Sequence, residues 1–460
     1  MKFIKRLTAA FLICVMCIVT GMNVQATNTE ETIDEDEEYK KQLEAIHNMP
    51  VQTNKLENWP KGPGTYGEAA IVMEAGTGAI LYAKNIDEKH FPASITKVLT
   101  ALVALENGEF EDPVVMSHDS VAFLQPGDSS IALKEGDELN LEQALYATLL
   151  ASANEAAYTV AENVGLNVGH DYNWFIDQMN VRCKELGGNN SNFVNANGLH
   201  DENHYTTARD MALIGCELFE HPEVFEIMQT RQYVIEETDT VEEHVFQQKH
   251  KMLLEGYQAY YEDAIGGKTG YTSDALSTLI TMADNGEMEL VCVVLRTYGK
   301  NIYPDTTNLF EYGFNNFKKV SVDGLETSED VGEILDSQGG GYVVLPEGVG
   351  FADLKMEMVP DETNNDEATL LYTYGDMPVG SARAKLSESY IKANSVQIEG
   401  EKAVKEEPEQ GMSKGTKIVI IILCIVLVVL VVLFIRALII RSRKRSHRRA
   451  QMAKRRHKNK

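Results

Sequence analysis

The chain has 460 residues, with 42 Lys and Arg against 69 Asp and Glu, a formal net charge of −27. Residues 1–26 hold three basic residues and no acid, residues 414–460 hold fourteen and no acid, and residues 27–413 therefore carry −44. That length exceeds one ordinary domain, and so acidic a middle excludes a nucleic-acid-binding main domain, which needs a basic face.

The first 26 residues join a basic start to an apolar run over 7–22, with small residues at Val24 and Ala26. They predict a secretory signal peptide cut after Ala26. Residues 27–58 (TNTEETIDEDEEYKK…) are acidic and poor in large apolar side chains, so a flexible lead-in is expected. From Trp59 the pattern becomes globular. Two strand-like runs, 69–74 and 79–83, flank a Gly-containing turn. In FPASITKVLTALVALENG the apolar positions repeat at helical spacing from Ile95, predicting an amphipathic helix over 93–106. Residues 141–150 and 155–164 read as two helices broken by ASAN, and 171–186 and 207–219 as two more. In LSTLITMADNGEMELVCVVLRT two apolar runs surround Asn285-Gly286, a hairpin signal. Helices in the middle with strands at both ends predict one sheet of chain-distant strands with helices packed on it.

After NLFEYGFNNF the texture changes. Residues 318–397 are short strand-like pieces with Gly, Asp and Pro turns, predicting a small β domain. Residues 398–415 read as a charged linker that reaches at most roughly 60 Å. Residues 418–435 are eighteen apolar residues without a charge, the core of a transmembrane helix expected over 416–440. Twelve Lys and Arg between Arg436 and Lys460 keep the tail, 441–460, on the cytoplasmic side. Only Cys183, Cys216 and Cys292 fall in the exported part, too few for a disulfide framework. The histidines are scattered without metal-ligand spacing, so neither a metal nor another cofactor is expected.

Three triplets carry the chemistry. Ser94 and Lys97 stand three residues apart on one helix face. A serine needs a base to become a nucleophile, and a lysine is such a base only when burial or a neighbouring cation lowers its pKa. A lysine in a first helical turn also lies where the dipole disfavours cations. Ser152 and Asn154 sit in a break between two helices; taken alone they are ordinary caps. Lys268-Thr269-Gly270 follows Gly266-Gly267; if it lies on an edge strand, its cation and hydroxyl face a cleft, and the glycine lets a ligand backbone come close.

In this order, Ser-x-x-Lys, Ser-x-Asn and Lys-Thr-Gly form the signature shared by penicillin-binding proteins and class A β-lactamases. The chain resembles the low-molecular-weight penicillin-binding proteins, the serine D-Ala-D-Ala carboxypeptidases, from about Trp59 to Phe317. AIVMEAGTGAILYAKNIDEKHFPASITKVLTAL, FVNANGLHDENHYTTARDMALI and GGKTGYT all look like segments of that family. The resemblance implies an α+β domain of the β-lactamase/transpeptidase-like fold, with helices on the faces of an antiparallel sheet. A small all-β domain and a C-terminal membrane attachment would follow. It implies Ser94 as the acylated nucleophile, Lys97 as its base, and Ser152 with Lys268 as the proton relay. Asn154 would hold the peptide and Thr269 its terminal carboxylate, while the N–H groups of Ser94 and of Tyr271, next after Gly270, would form the oxyanion hole. The implied substrate is a peptidoglycan stem peptide ending in D-Ala-D-Ala, with β-lactams as covalent inhibitors. The implied place is the bacterial cell membrane, catalytic domain outside.

Two departures stand out. The family's Ala-Gly beyond the Lys-Thr-Gly strand is replaced by Asp274-Ala275-Leu276-Ser277, and Ile302 fills the place of a carboxylate-binding arginine, with Arg296 as an alternative cation. The competing readings are a D,D-endopeptidase, a β-lactamase and a non-catalytic penicillin-binding sensor. A β-lactamase would want E-x-x-L-N after Ser-x-Asn, and the one Leu-Asn, Leu166-Asn167, has Asn163 where the Glu should be.

Overall fold

The computed structural model describes residues 37–298, 300–335, 341–361 and 363–394. Its first element, helix α1 (residues 37–47), lies in the stretch expected to be a flexible lead-in, and over 37–58 that expectation is corrected. Ile46, Val51 and Thr53 are buried there, and the chain makes a 3-10 turn at Gln52–Lys55. A buried amine explains the order. Lys84 is fully buried, and its Nζ donates to the carbonyls of Ile46, Thr65 and Gly67, each at 2.8 Å. Such a group is tolerated inside only where acceptors surround it, so the lead-in is tied to the strand that carries Lys84.

That strand, β2 (Ile80–Lys84), forms a hairpin with β1 (Gly67–Glu74). A 3-10 turn at Ala93–Ile95 then opens α2 (Thr96–Asn107). The predicted apolar face is wider than expected: every residue from Thr96 to Ala104 is buried, because other helices pack around α2. The short pair β3 (Pro113–Val115) and β4 (Glu138–Asn140) encloses α3 (His118–Ala122). Next come α4 (Leu141–Leu149), α5 (Asn154–Asn167), α6 (Tyr172–Glu185), α7 (Ala208–Glu217) and α8 (Glu223–Gln229). A second short pair, β5 (Gln232–Ile235) with β6 (His244–Gln247), precedes β7 (Ala264–Thr272), β8 (Leu276–Asp284), β9 (Glu289–Thr297) and α9 (Ile302–Asn316).

The main sheet has the order β2-β1-β9-β8-β7 and is antiparallel throughout. Strand alternation decides its two faces. Val291, Val293 and Leu295 of β9 join one core with α2 and α7, whereas Leu290, Cys292 and Val294 join another with α9. The sheet is thus covered on both sides, which is why its central strands are nearly continuous apolar runs rather than alternating ones. At Asn285-Gly286 the predicted hairpin forms, with Gly286 at φ 82°.

The chain changes from helix to strand at Phe317. A second antiparallel sheet, β10 (Phe317–Ser321), β11 (Val331–Ile334), β12 (Tyr342–Pro346), β13 (Lys355–Pro360), β14 (Glu367–Tyr374) and β15 (Met377–Leu386), runs in the order β10-β12-β15-β14-β13, with β11 on β15. It shares the α9-side core. Trp59 packs between Phe317 and Tyr374, and the fully buried Glu74 accepts from the Tyr342 hydroxyl at 2.6 Å. The described residues up to Ser387 form one compact unit; a second begins at Glu388, and its described residues, 388–394, are helical. Among the described residues no helix is long and apolar enough to cross a membrane. The expected signal peptide, the linker and the 416–440 helix with its basic tail lie outside them.

Candidate active site

Ser94 stands on a strained elbow. Ala93, just before it, has φ 51°, a conformation disfavoured for a residue with a Cβ. A chain of hydrogen bonds holds it. The Val194 N–H donates to His204 Nδ1 at 3.1 Å, so in neutral His204 the proton is on Nε2. That Nε2–H donates to Thr96 Oγ1 at 2.8 Å, and the Thr96 hydroxyl donates to the Ala93 carbonyl at 2.9 Å. Burial pushes His204 down to about 4, which keeps it neutral. From the other side Thr278 Oγ1 donates to Pro92 O at 2.7 Å. Two glycines let other backbones approach. A Cβ at Gly270 would lie 2.9 Å from Ser94 N, and one at Gly198, with φ 80°, would overlap the Ala93 carbonyl. The same contact sets Gly270, and hence the following N–H of Tyr271, on the flank of Ser94.

Lys97 is the second residue of α2 and fully buried. Its Nζ lies 3.1 Å from Ser94 Oγ, 2.8 Å from Asn154 Oδ1 and 2.6 Å from the main-chain oxygen of Asn197. Its pKa is held well below the ordinary lysine value, first by burial and then by the cations Lys268 and Lys249; Glu155 and Asp128 oppose this. The contacts then fix a direction. Asn154 Oδ1 and Asn197 O can only accept, so the two N–H groups of a neutral amine point to them, and its lone pair faces the Ser94 hydroxyl.

Edge strand β7 brings Lys268, Thr269 and Gly270 to the same place. Lys268 is buried, its Nζ donates to Thr269 O at 2.8 Å, and burial followed by Lys249 pushes it down to about 7. Ser94, Ser152, Thr269, Gly270 and Tyr271 line one cleft of about 1110 Å³. The Tyr271 ring is 69% exposed at its mouth. Ser152 occupies the α4–α5 break at φ 61°. Among the described residues its hydroxyl makes no hydrogen bond with Lys97 or Lys268. Asn154 begins α5, and its carbonyl end is committed to Lys97, so its amide NH₂ is the part left for a ligand.

Arg296 does not serve the cleft. Its guanidinium is held by Glu68 Oε1 at 3.0 Å and by Asp274 O at 2.6 Å, on a separate cleft beside His90. Ile302 does line the cleft of Ser94, with Lys249, Lys251 and Lys300 as its exposed cations. Sequence reasoning missed Asn197, His204, Thr96 and Lys249. The signal for the first two was FVNANGLHDENHYTT, whose Asn-Gly pair marks a left-handed glycine; for Lys249 there was none.

Residues 57–298 match the family described as D-alanyl-D-alanine carboxypeptidase. The chain is 31% identical over 258 residues to D-alanyl-D-alanine carboxypeptidase DacF of Bacillus subtilis, covering 55% of this chain and 63% of that one. It is 30% identical over 271 residues to DacC of Escherichia coli, covering 57% and 64%. Among solved structures it is similar to the Streptomyces K15 DD-transpeptidase, with 26% identity, a TM-score of 0.51 and coverage of 56% of this chain and 100% of that one. A D-alanyl-D-alanine carboxypeptidase of Mycobacterium tuberculosis gives 26% identity and a TM-score of 0.50 over 58% of this chain and 96% of that one. The match to DacF and DacC thus spans under two thirds of their length.

Proposed function

Because the chain belongs to the D-alanyl-D-alanine carboxypeptidase family, we propose that it removes the terminal D-alanine from peptidoglycan stem pentapeptides through an ester on Ser94. The observation that carries this is the buried Lys97 amine, whose two carbonyl acceptors leave its lone pair for the serine.

Ser94 Oγ attacks the carbonyl carbon of the D-Ala-D-Ala bond while its proton passes to Lys97 Nζ. The carbonyl oxygen takes the negative charge between the N–H groups of Ser94 and Tyr271. As the C–N bond breaks, a proton reaches the departing D-alanine amine through Ser152 and Lys268. Water then attacks the ester, gives its proton to Lys97, and releases the shortened peptide and Ser94. Thr269 receives the terminal carboxylate and the Asn154 NH₂ a peptide carbonyl. A β-lactam forms the same ester, but its ring-opened amine stays attached.

The N-terminal 26 residues as an export signal, 416–440 as a single membrane span and the basic tail as a cytoplasmic segment complete the reading. They place the folded part outside a bacterial cell membrane. The β-lactamase alternative loses its water-activating site. Asn163 is buried and clamps Val115, accepting from its N–H at 3.0 Å and donating to its carbonyl at 3.1 Å.

The test is mass spectrometry of a D-Ala-D-Ala pentapeptide digest together with the site of the penicillin adduct. Release of one D-alanine and an adduct on Ser94, both lost in Ser94→Ala, is expected. An adduct elsewhere, or rapid multiple turnover of the β-lactam, refutes the assignment.

A further inference from the structure

The cleft that holds Arg296, of about 330 Å³, has no part in the chemistry above. Charges of both signs line it: Lys89 and Arg296 against Glu68, Glu88 and Glu202. One opposite pair is joined, Arg296 Nε with Glu68 Oε1 at 3.0 Å. Lys89, Glu88 and Glu202 form no ion pair among the described residues; the Lys89 ammonium lies over the Tyr205 ring, 4.1 Å from its centre. Arg296 commits Nε to Glu68 and Nη1 to the Asp274 carbonyl, and its Nη2 makes no hydrogen bond among the described residues.

A buried side chain of the same cleft also lacks a partner. His90 is 7% exposed, and its Nε2 has no hydrogen bond among the described residues. Burial, then Arg296, pushes its pKa down to about 4, so the neutral ring offers one N–H and one lone pair. An unpaired buried polar atom is costly, and a ligand in the cleft would supply its partner. Backbone strain gathers here too. Arg296 and Leu276, the latter next to the lining residue Ala275, both hold φ 54°, and such residues cluster at ligand clamps and switch regions. Unpaired charges of opposite sign in so small a space suit a ligand that carries both. A plain anion would face three carboxylates, and a plain cation two basic side chains. The cleft of Ser94 is close along the chain: Phe91 and Ala275 line this one, while Ser94 and Ser277 line the other.

We propose that this cleft binds a small free amino acid as its zwitterion, the carboxylate towards Lys89 and Arg296 Nη2 and the ammonium towards Glu88 and Glu202, and that D-alanine is that ligand. The choice of D-alanine rests on the carboxypeptidase reading, which releases it nearby; the site itself does not.

The test is calorimetric titration of D-alanine into the full-length protein after treatment with penicillin, so that the cleft of Ser94 is already filled. Saturable binding at one site per chain is expected. Propionate and ethylamine, each with one of the two charged groups, are expected to bind at least tenfold more weakly. Lys89→Gln and Glu202→Gln are each expected to weaken D-alanine at least threefold while acylation by a fluorescent penicillin keeps its wild-type rate, which shows that the fold is intact. No binding of D-alanine overturns the proposal. Propionate binding as tightly as D-alanine overturns it as well, because the cleft is then an anion site, and so do two variants that keep the wild-type affinity. The other reading fails separately. If penicillin forms no adduct on Ser94, the carboxypeptidase assignment is overturned, and the same titration on the unmodified protein still decides the cleft.

Discussion

Replacing Asn154 by Asp changes one atom type beside Lys97 and tests whether that lysine works as a neutral amine base. Asn154 Oδ1 lies 2.8 Å from Lys97 Nζ, and at that separation a unit charge with an effective dielectric near 20 attracts the ammonium by roughly 6 kcal/mol. At about 1.4 kcal/mol per pKa unit this is about 4 units, opposite in direction to the depression that burial, Lys268 and Lys249 impose. Asn154→Asp should therefore leave Lys97 protonated at neutral pH. The acylation rate by a chromogenic β-lactam at pH 7 is expected to fall at least a hundredfold and to recover as the pH rises. Asn154→Ala, which removes the acceptor without adding charge, measures the packing share and should lower the rate without moving the pH profile. If Asn154→Asp acylates with the wild-type pH profile, neutral Lys97 is not the base and the reasoning fails.

Thr96→Val cuts the link from His204 to the Ala93 carbonyl. At about 1 kcal/mol for such a hydrogen bond, acylation should slow several-fold while Thr96→Ser stays near wild type; stopped-flow labelling compares them. Gly270→Ala puts a Cβ 2.9 Å from Ser94 N, so labelling by a fluorescent penicillin should be nearly lost with far-UV circular dichroism unchanged. Lys268 is pushed down to about 7 in the fold from an ordinary 10.5, so between those values the unfolded chain binds a proton that the folded chain does not. Stability should therefore rise with pH across that window, by up to about 1.4 kcal/mol per unit from this group. Urea unfolding at several pH values should show that component missing in Lys268→Met.

Local pattern reaches the elements of this chain more readily than their surroundings. The period-3.6 run after Ile95 announces α2, yet its burial on every side comes from helices more than 30 residues downstream. Asn285-Gly286 announces the β8–β9 hairpin because a short turn is a local choice, although the connection that forms is four residues, 285–288, between the paired Asp284 and Glu289. Residues 37–58 mislead for the opposite reason. Their composition is that of a solvated segment, and the buried Lys84 that orders them is not part of it.

The chemistry of the site was legible in the sequence because its reactive groups are short triplets whose residue types and helix or strand spacing are local properties. Their electrical state was not. Lys97 looked misplaced in a first helical turn, and the sequence offered burial, a neighbouring cation and the dipole there as reasons for it to lose its proton, without ranking them. In the structure the largest cause is burial, followed by two cations on distant segments. One of the acceptors that orient the amine, Asn197, lies 100 residues along the chain. Desolvation and Coulomb terms depend on distance in space, which the order of residues does not record. Tertiary packing alone therefore decided that the Lys97 amine is buried beside Ser94 with its pKa held down, and that Arg296, the alternative cation, is held on a separate cleft.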